Sequence, residues 1–290
     1  MLAFNPDLVD DLARQRVVLF LGSGVSSSAQ TATGSKIKGW HDFLQSALDR
    51  VEPMELQDQV RDLLGKRDYL LASELLQQHL QEAWDTLVTD EFTQMAQPSA
   101  LHEALIALDQ RLIFTTNFDK LVESCWVSRI GASTHLSTVI SRIDDSSFRI
   151  LKDHSGKYLV KIHGTVDDPS TMIFSRSEYI RLAFGNVMYS SFLEVTLLTY
   201  TFLFVGFSME DPAIASLMEM YALRFPKTRP HYIIVPAGMQ ANIKEIFKRL
   251  RRLQVIEYDP TSNHAKLAEL ISKLAEVVRA RRKEILADTM

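Results

Sequence analysis

Cysteine is almost missing from this chain: one residue, Cys125, stands among 290. A single cysteine excludes an internal disulfide and any zinc module built on several cysteines. Surplus charge is lacking as well. The formal net charge is −4, without the basic excess that marks nucleic-acid binders, so no direct nucleic-acid binding is expected. Long hydrophobic runs are also absent. The most apolar window, residues 192–207, contains Glu194 and threonines and is too short to span a bilayer comfortably. It reads as a buried helix leading into a buried strand. The opening MLAFNPDLVDD has neither the basic segment nor the apolar segment of a secretory signal. A cytoplasmic location without membrane contact is therefore expected.

What is present is a large apolar fraction, 46% of residues, enough for a substantial core. Asn5-Pro6-Asp7 is a helix start, with a capping side chain, a proline at the first helical position and an acid in the first turn. Residues 17–21 form an apolar run of strand length that ends in Gly22-Ser23-Gly24, followed by a small, polar loop over residues 25–38. Residues 39–97 are helical in pattern throughout, with apolar stripes such as Trp40, Phe43, Leu44, Ala47 and Leu48. After Pro98 come a helix and then further strands: 112–114, 135–140, 158–162, 202–205, 232–235 and 255–258. Helices stand between most of them, and residues 141–156 read as a polar hairpin or loop. From His264 onward one amphipathic helix is expected, with an apolar stripe available to the chain itself or to a second copy of it. Strand alternating with helix predicts an α/β fold with a doubly wound, mostly parallel, Rossmann-like sheet.

Ligands of such sheets bind at the carboxyl ends of the strands, and in this chain those ends are polar. In RLIFTTNFDKLVE the apolar run breaks into Thr115, Thr116 and Asn117 before Phe118, Asp119, Leu121 and Val122 resume at helical spacing. Taken singly, Asn117 or Asp119 is as well explained as a helix cap. Gly22-Ser23-Gly24 follows a strand directly, and glycine turns allow close approach to a pyrophosphate. The dinucleotide fingerprint is incomplete, because Ser27 stands where its third glycine would be, and this disfavours an ordinary nicotinamide dehydrogenase. His163 follows an apolar strand and precedes Gly164. Alone it is more simply a hydrogen-bonded structural histidine, but at a strand end it also suits proton transfer. Gly206 and Ser208 make another small turn, and Asp211 reads as the cap before Pro212. All four segments fall at the carboxyl ends of expected parallel strands and so can face one crevice.

The ordered set GSGVS, TTNFD, KIHG and VGFSMED resembles the sirtuin-like domains of bacterial antiphage-defence proteins, of the second sirtuin-like family rather than the protein deacylases. The likeness runs from about Val17 to Asp211. It implies one sirtuin-like domain over 1–290: a Rossmann-like core (1–38 and 98–262), a helical insert (39–97) and a C-terminal helix (263–290). It further implies that Gly22, Ser23, Gly24 and Ser26 hold the NAD+ pyrophosphate, that Thr115, Asn117 and Asp119 address the nicotinamide ribose and carboxamide, that His163 is catalytic with Asn117, and that Gly206 and Ser208 lie by the adenosine ribose. Three departures weigh against a deacylase. The four-cysteine zinc module is missing, residues 34–40 read GSKIKGW where deacylases carry a proline-aspartate-phenylalanine-arginine segment, and Thr116 replaces a glutamine.

The resulting expectation is an NAD+ hydrolase that needs no metal and treats NAD+ as substrate. It would release nicotinamide and ADP-ribose, with a cyclised product also open. Depletion of NAD+ in phage-infected cells is a form of abortive infection and calls for a gate, so a homo-oligomer controlled in trans by a HerA-type ATPase or another defence partner is expected. The alternatives are a non-catalytic module that binds NAD+ or ADP-ribose and, less favoured, a deacylase. A nuclease is disfavoured because Asp144-Asp145 and Asp167-Asp168 read as solvated turns.

Overall fold

The computed structural model describes residues 4–31, 34–94, 96–130, 138–183, 185–209 and 211–288. Helix α1 (Pro6–Ala13) starts as its sequence predicts, with the Asn5 side chain accepting from the Asp7 and Leu8 amides. It leads into β1 (Val17–Leu21), and the one-turn helix α2 (Ser23–Ser26) follows. The glycine turn is thus the entry to a helix. A short strand β2 (Gln30–Thr31) precedes four helices, α3 (Trp40–Ala47), α4 (Met54–Gly65), α5 (Tyr69–Leu80) and α6 (Glu82–Phe92). Strand β3 (Ala96–Gln97) then pairs antiparallel with β2, which ties the two ends of the helical segment together.

The chain continues through α7 (Ala100–Ala107), β4 (Leu112–Thr115), α8 (Leu121–Ile130), β5 (Thr138–Ile140) and β6 (Tyr158–Lys161). Of the strand expected over 135–140, residues 135–137 lie outside the described residues. The stretch expected to be a hairpin or loop contains a 3-10 helix, Asp145–Leu151, capped by Asp144. Then come α9 (Arg176–Ala183), α10 (Val187–Thr199), β7 (Thr201–Val205), α11 (Pro212–Arg224), β8 (His231–Pro236), α12 (Ala241–Arg251), β9 (Leu253–Tyr258) and α13 (Ala265–Ala287).

Seven strands form one parallel sheet in the order β5-β6-β4-β1-β7-β8-β9. Side chains alternate across a strand, and β1 shows both faces buried. Val17, Leu19 and Leu21 join a core under α1, α7, α8 and α13, while Val18 and Phe20 join a core under α10 and α11. Phe114 and Phe192 stack there with ring centroids 5.7 Å apart. Fully burying an apolar side chain of this size contributes about 1.5–3 kcal/mol, so this double-sided core holds the strand ends in fixed register.

Two expectations change. The apolar stripe of α13 (Leu267, Leu270, Ile271, Leu274, Val278) is buried in the chain's own core. A stripe over 23 residues does not itself say which sheet face it covers. Phe118 does not belong to α8, which begins at Leu121. It turns instead into a third cluster with Phe43, Trp84 and Phe174, binding the helical segment to the end of the sheet. No helix among the described residues is long and apolar enough to cross a membrane.

Candidate active site

Register decides what the strand ends bring together. Leu21 lies opposite Thr115 on one side and Val205 on the other, and Thr115 lies opposite Lys161. Gly22, Thr116, Ile162 and Gly206 therefore come next along one edge of the sheet. Strand order reverses around β1, which makes this edge the topological switch point where doubly wound sheets take ligands.

The glycines let the backbones meet. The Gly24 amide donates to Gly206 O at 3.0 Å, and the Gly22 amide donates to Val205 O at 3.0 Å. A Cβ on Gly22 would stand 2.4 Å from Gly206 O, and Gly206 itself has φ +64°, a left-handed backbone that glycine adopts without strain. These contacts spend the amides of Gly22 and Gly24, two of the residues expected to hold a pyrophosphate, and the neighbouring Val25 amide donates to Gly22 O. Ser23 and Gly24 still open on the cleft.

That cleft has a volume of about 760 Å³, within the range of small-molecule and cofactor sites. Its floor is Ser23, Gly24, Thr116, His163, Gly206 and Ser208. Trp40 and Tyr69 of the helical segment form one wall, and Pro236, Met239 and Tyr258 form the other. Of the residues singled out in the sequence, the cleft thus gathers Ser23, Gly24, His163, Gly206 and Ser208. Asn117, Ser26 and Asp119 line an adjoining space of about 20 Å³, which shares Ser23, Gly39, Trp40 and Thr116 with the cleft. A space of that size has room for roughly one water molecule.

Thr115 and Gly22 line neither space. The Thr115 hydroxyl donates to Leu21 O at 3.0 Å and accepts from the Asn117 amide at 3.0 Å, so it fixes the turn that presents Asn117. Asn117 Nδ2 donates to Gly22 O at 2.9 Å, and its Oδ1 accepts no hydrogen bond among the described residues. Asp119 caps α8 through the Leu121 amide at 2.9 Å and accepts from the Ser26 hydroxyl at 2.5 Å. Asp119 thus bonds the start of α8 and also lines the side space. Asn117 is not a cap.

His163 is buried in the cleft floor. Its Nε2 lies 3.2 Å from Asp211 Oδ2, at ion-pair distance but without the alignment of a hydrogen bond. Neither ring nitrogen has a hydrogen-bond partner among the described residues. Burial pulls its pKa below the ordinary histidine value, against the opposing pull of Asp211, so the neutral imidazole is favoured. The sequence pointed to His163 but read Asp211 as a cap alone, and it did not single out Tyr179, which lines the cleft and hydrogen-bonds Asp211. Nor did it reveal Lys161. Its ammonium is wholly buried and donates to Phe118 O at 3.1 Å, Asp119 O at 2.5 Å and Glu123 Oε1 at 2.7 Å, clamping the turn that carries Asn117. The signal available was a lysine at the end of an otherwise apolar strand.

A family model described as a SIR2-like domain matches residues 111–256. The chain belongs to that family. Its relatives include the NAD(+) hydrolase ThsA of Cytobacillus dafuensis, 27% identical over 222 residues that make up 76% of this chain and 41% of that protein. Another is Defense-associated sirtuin 2 of Bacillus subtilis, 21% identical over 210 residues, 67% of this chain and 20% of that one. The chain thus spans less than half the length of these curated relatives. Among solved structures, a Sir2 homologue in complex with NAD aligns over 97% of this chain and 96% of its own, with 17% identity and a TM-score of 0.44.

Proposed function

We propose that this chain hydrolyses NAD+ at the nicotinamide–ribose bond. The observation that carries the reading is the convergence of four polar strand ends on one cleft whose floor holds a neutral, buried His163. Relatives named as NAD(+) hydrolases support it. In the reaction, water adds to the anomeric carbon as the carbon–nitrogen bond breaks. Nicotinamide leaves as a neutral molecule with the bonding pair, and the proton released by water passes to a base. The Asn117 Oδ1, which accepts no hydrogen bond among the described residues, suits orienting that water or a ribose hydroxyl, and a neutral imidazole suits taking the proton. The floor at Ser23, Gly24 and Gly206 suits the pyrophosphate, with Gly22 shaping the turn behind it, and Ser208 suits a ribose hydroxyl.

The same reading extends to biology. The enzyme acts in the cytoplasm as a homo-oligomer and depletes NAD+ in antiphage defence, an abortive-infection outcome, under control of a HerA-type ATPase or another defence partner in trans. The relative named as a defence-associated sirtuin supports the defence role. A second reading, a non-catalytic NAD+ or ADP-ribose module, is favoured by one feature: Asn117 stands in the small side space with its amide tied to Gly22 O. NAD+ incubated with the purified chain, alone and with its genomic neighbour, separates the two. Nicotinamide and ADP-ribose that vanish in Asn117→Ala and His163→Ala support hydrolysis. NAD+ that binds and returns intact in every combination supports the binding module.

A further inference from the structure

Asp211 uses one carboxylate oxygen as a helix cap and turns the other towards His163. Oδ1 accepts from the Ala213 and Ile214 amides, each at 3.1 Å, and from the Tyr179 hydroxyl. Oδ2 stands 3.2 Å from His163 Nε2. A cap needs only one acceptor oxygen, which serine, threonine or asparagine supplies equally well. The cap therefore leaves unexplained a second oxygen, on a side chain only 11% exposed, facing an imidazole whose nitrogens have no hydrogen-bond partner among the described residues.

We infer that Asp211 is the positioning residue of His163: its fixed carboxylate turns the imidazole, holds the proton on Nε2 and so leaves the lone pair on Nδ1. The logic is that of any carboxylate–histidine pair, in which the hydrogen bond at one ring nitrogen sets the state of the other. Tyr179 and the first turn of α11 fix the carboxylate from two sides. The titratable neighbours are accounted for. Tyr179 from α9 meets the His163 ring edge-on at 6.0 Å between centroids. Tyr189 from α10 lies within the field of Asp211. Burial and Asp211 push both phenols up, so both stay protonated. Among the described residues, Asp211 is the charged group whose field acts on His163. When His163 takes a proton at Nδ1 it becomes an imidazolium, which the carboxylate stabilises.

The deciding measurement is the tautomer of His163, read from the nitrogen-15 shifts of its ring in selectively labelled protein at pH 7.5. It is made on the unaltered chain, on Asp211→Asn and on Asp211→Ser, both of which keep a capping oxygen. The expected result is a proton on Nε2 in the unaltered chain, redistributed between the two nitrogens in both variants. A proton on Nδ1 in the unaltered chain, or the same tautomer in all three proteins, overturns the inference. The activity arm rests on the NAD+-cleaving reading. There Asp211→Asn is expected to lose about a hundredfold in kcat with little change in KM, and an undiminished kcat counts against the role. If no protein turns over NAD+, the proposed function fails while the tautomer still decides the role of Asp211.

Discussion

Asn117 and His163 follow neighbouring strands, β4 and β6, yet their surroundings are opposites. Asn117 sits in a turn fixed at almost every polar atom: its amide to Thr115, its Nδ2 to Gly22 O, and the next two carbonyls to the Lys161 ammonium. His163 has open cleft on one side and, as its polar neighbour, a carboxylate at 3.2 Å that is not aligned as a hydrogen bond. The Asn117 side is a hydrogen-bonded network that stabilises the fold as it positions a residue. On the His163 side the ring nitrogens have no hydrogen-bond partner among the described residues, at a cost that a ligand or proton can offset. Stability measurements should therefore separate the two sides even where activity measurements do not.

The largest effect is expected at Lys161. Its side chain is wholly buried, and burial already pushes the Glu123 carboxyl up against the pull of this lysine. Lys161→Met takes a donor from Asp119 O and from Phe118 O, the latter keeping the Val166 amide, and leaves Glu123 to take up a proton. Breaking one partner of a buried pair costs about 3–5 kcal/mol, so the denaturant midpoint should fall accordingly. A loss below about 1 kcal/mol would mean that the clamp is slack and that the two sides are not built differently.

Acid should weaken both sides together. Burial lowers His163, lowers His102 to about 4 despite Asp119, and lowers His231 to about 3. A histidine depressed in the folded state binds more protons when unfolded. Its contribution is thus complete above the unfolded value of about 6.5 and is lost as pH falls towards the folded one. His102 lies behind the Asn117 side, where its Nδ1 accepts from the Ser99 amide at 3.2 Å. His102→Gln keeps an acceptor for that capping box and removes the titration. Between pH 6.5 and pH 4 it should spare about 2–3 kcal/mol of the loss seen in the unaltered chain, measured as unfolding free energy against pH. An equal slope in both proteins would show that His102 does not titrate as described.

Much of this was legible in the sequence wherever a local rule was enough. Asn5-Pro6-Asp7 started a helix, and apolar runs ending in small polar residues marked strands whose register then aligned those ends. What was not legible depended on contacts distant in the chain. Lys161 reads as a strand-end lysine until the turn after β4 folds over it. Asp211 reads as a cap because its local amides satisfy that role, while the oxygen facing His163 answers to a residue 48 positions away. Phe118 fits the helical spacing of Leu121 and Val122, but it is claimed by the aromatic cluster of the helical segment at Phe92 and Phe174. The glycines were read as open amides for a phosphate, and part of their purpose proved to be the approach of two backbones.

Asn117→Ala should cost about 0.5–1.5 kcal/mol, because Gly22 O loses one of its two donors and keeps the Val25 amide. The smallest stability effect is expected at His163, and it tests the comparison most directly. The ring gives up no aligned hydrogen bond among the described residues, and its removal relieves two buried nitrogens while opening space beside a cleft that water already reaches. The lost packing against Tyr179 and the relieved polar atoms nearly cancel. His163→Ala should therefore lie within about 1 kcal/mol of the unaltered chain at pH 7.5, while the proposed NAD+ turnover is expected to be lost in it as in Asn117→Ala. Paired denaturation curves and turnover assays on the two variants decide it. If His163→Ala destabilises as much as Asn117→Ala, the imidazole is part of the structural network, and the asymmetry between the two sides is only apparent.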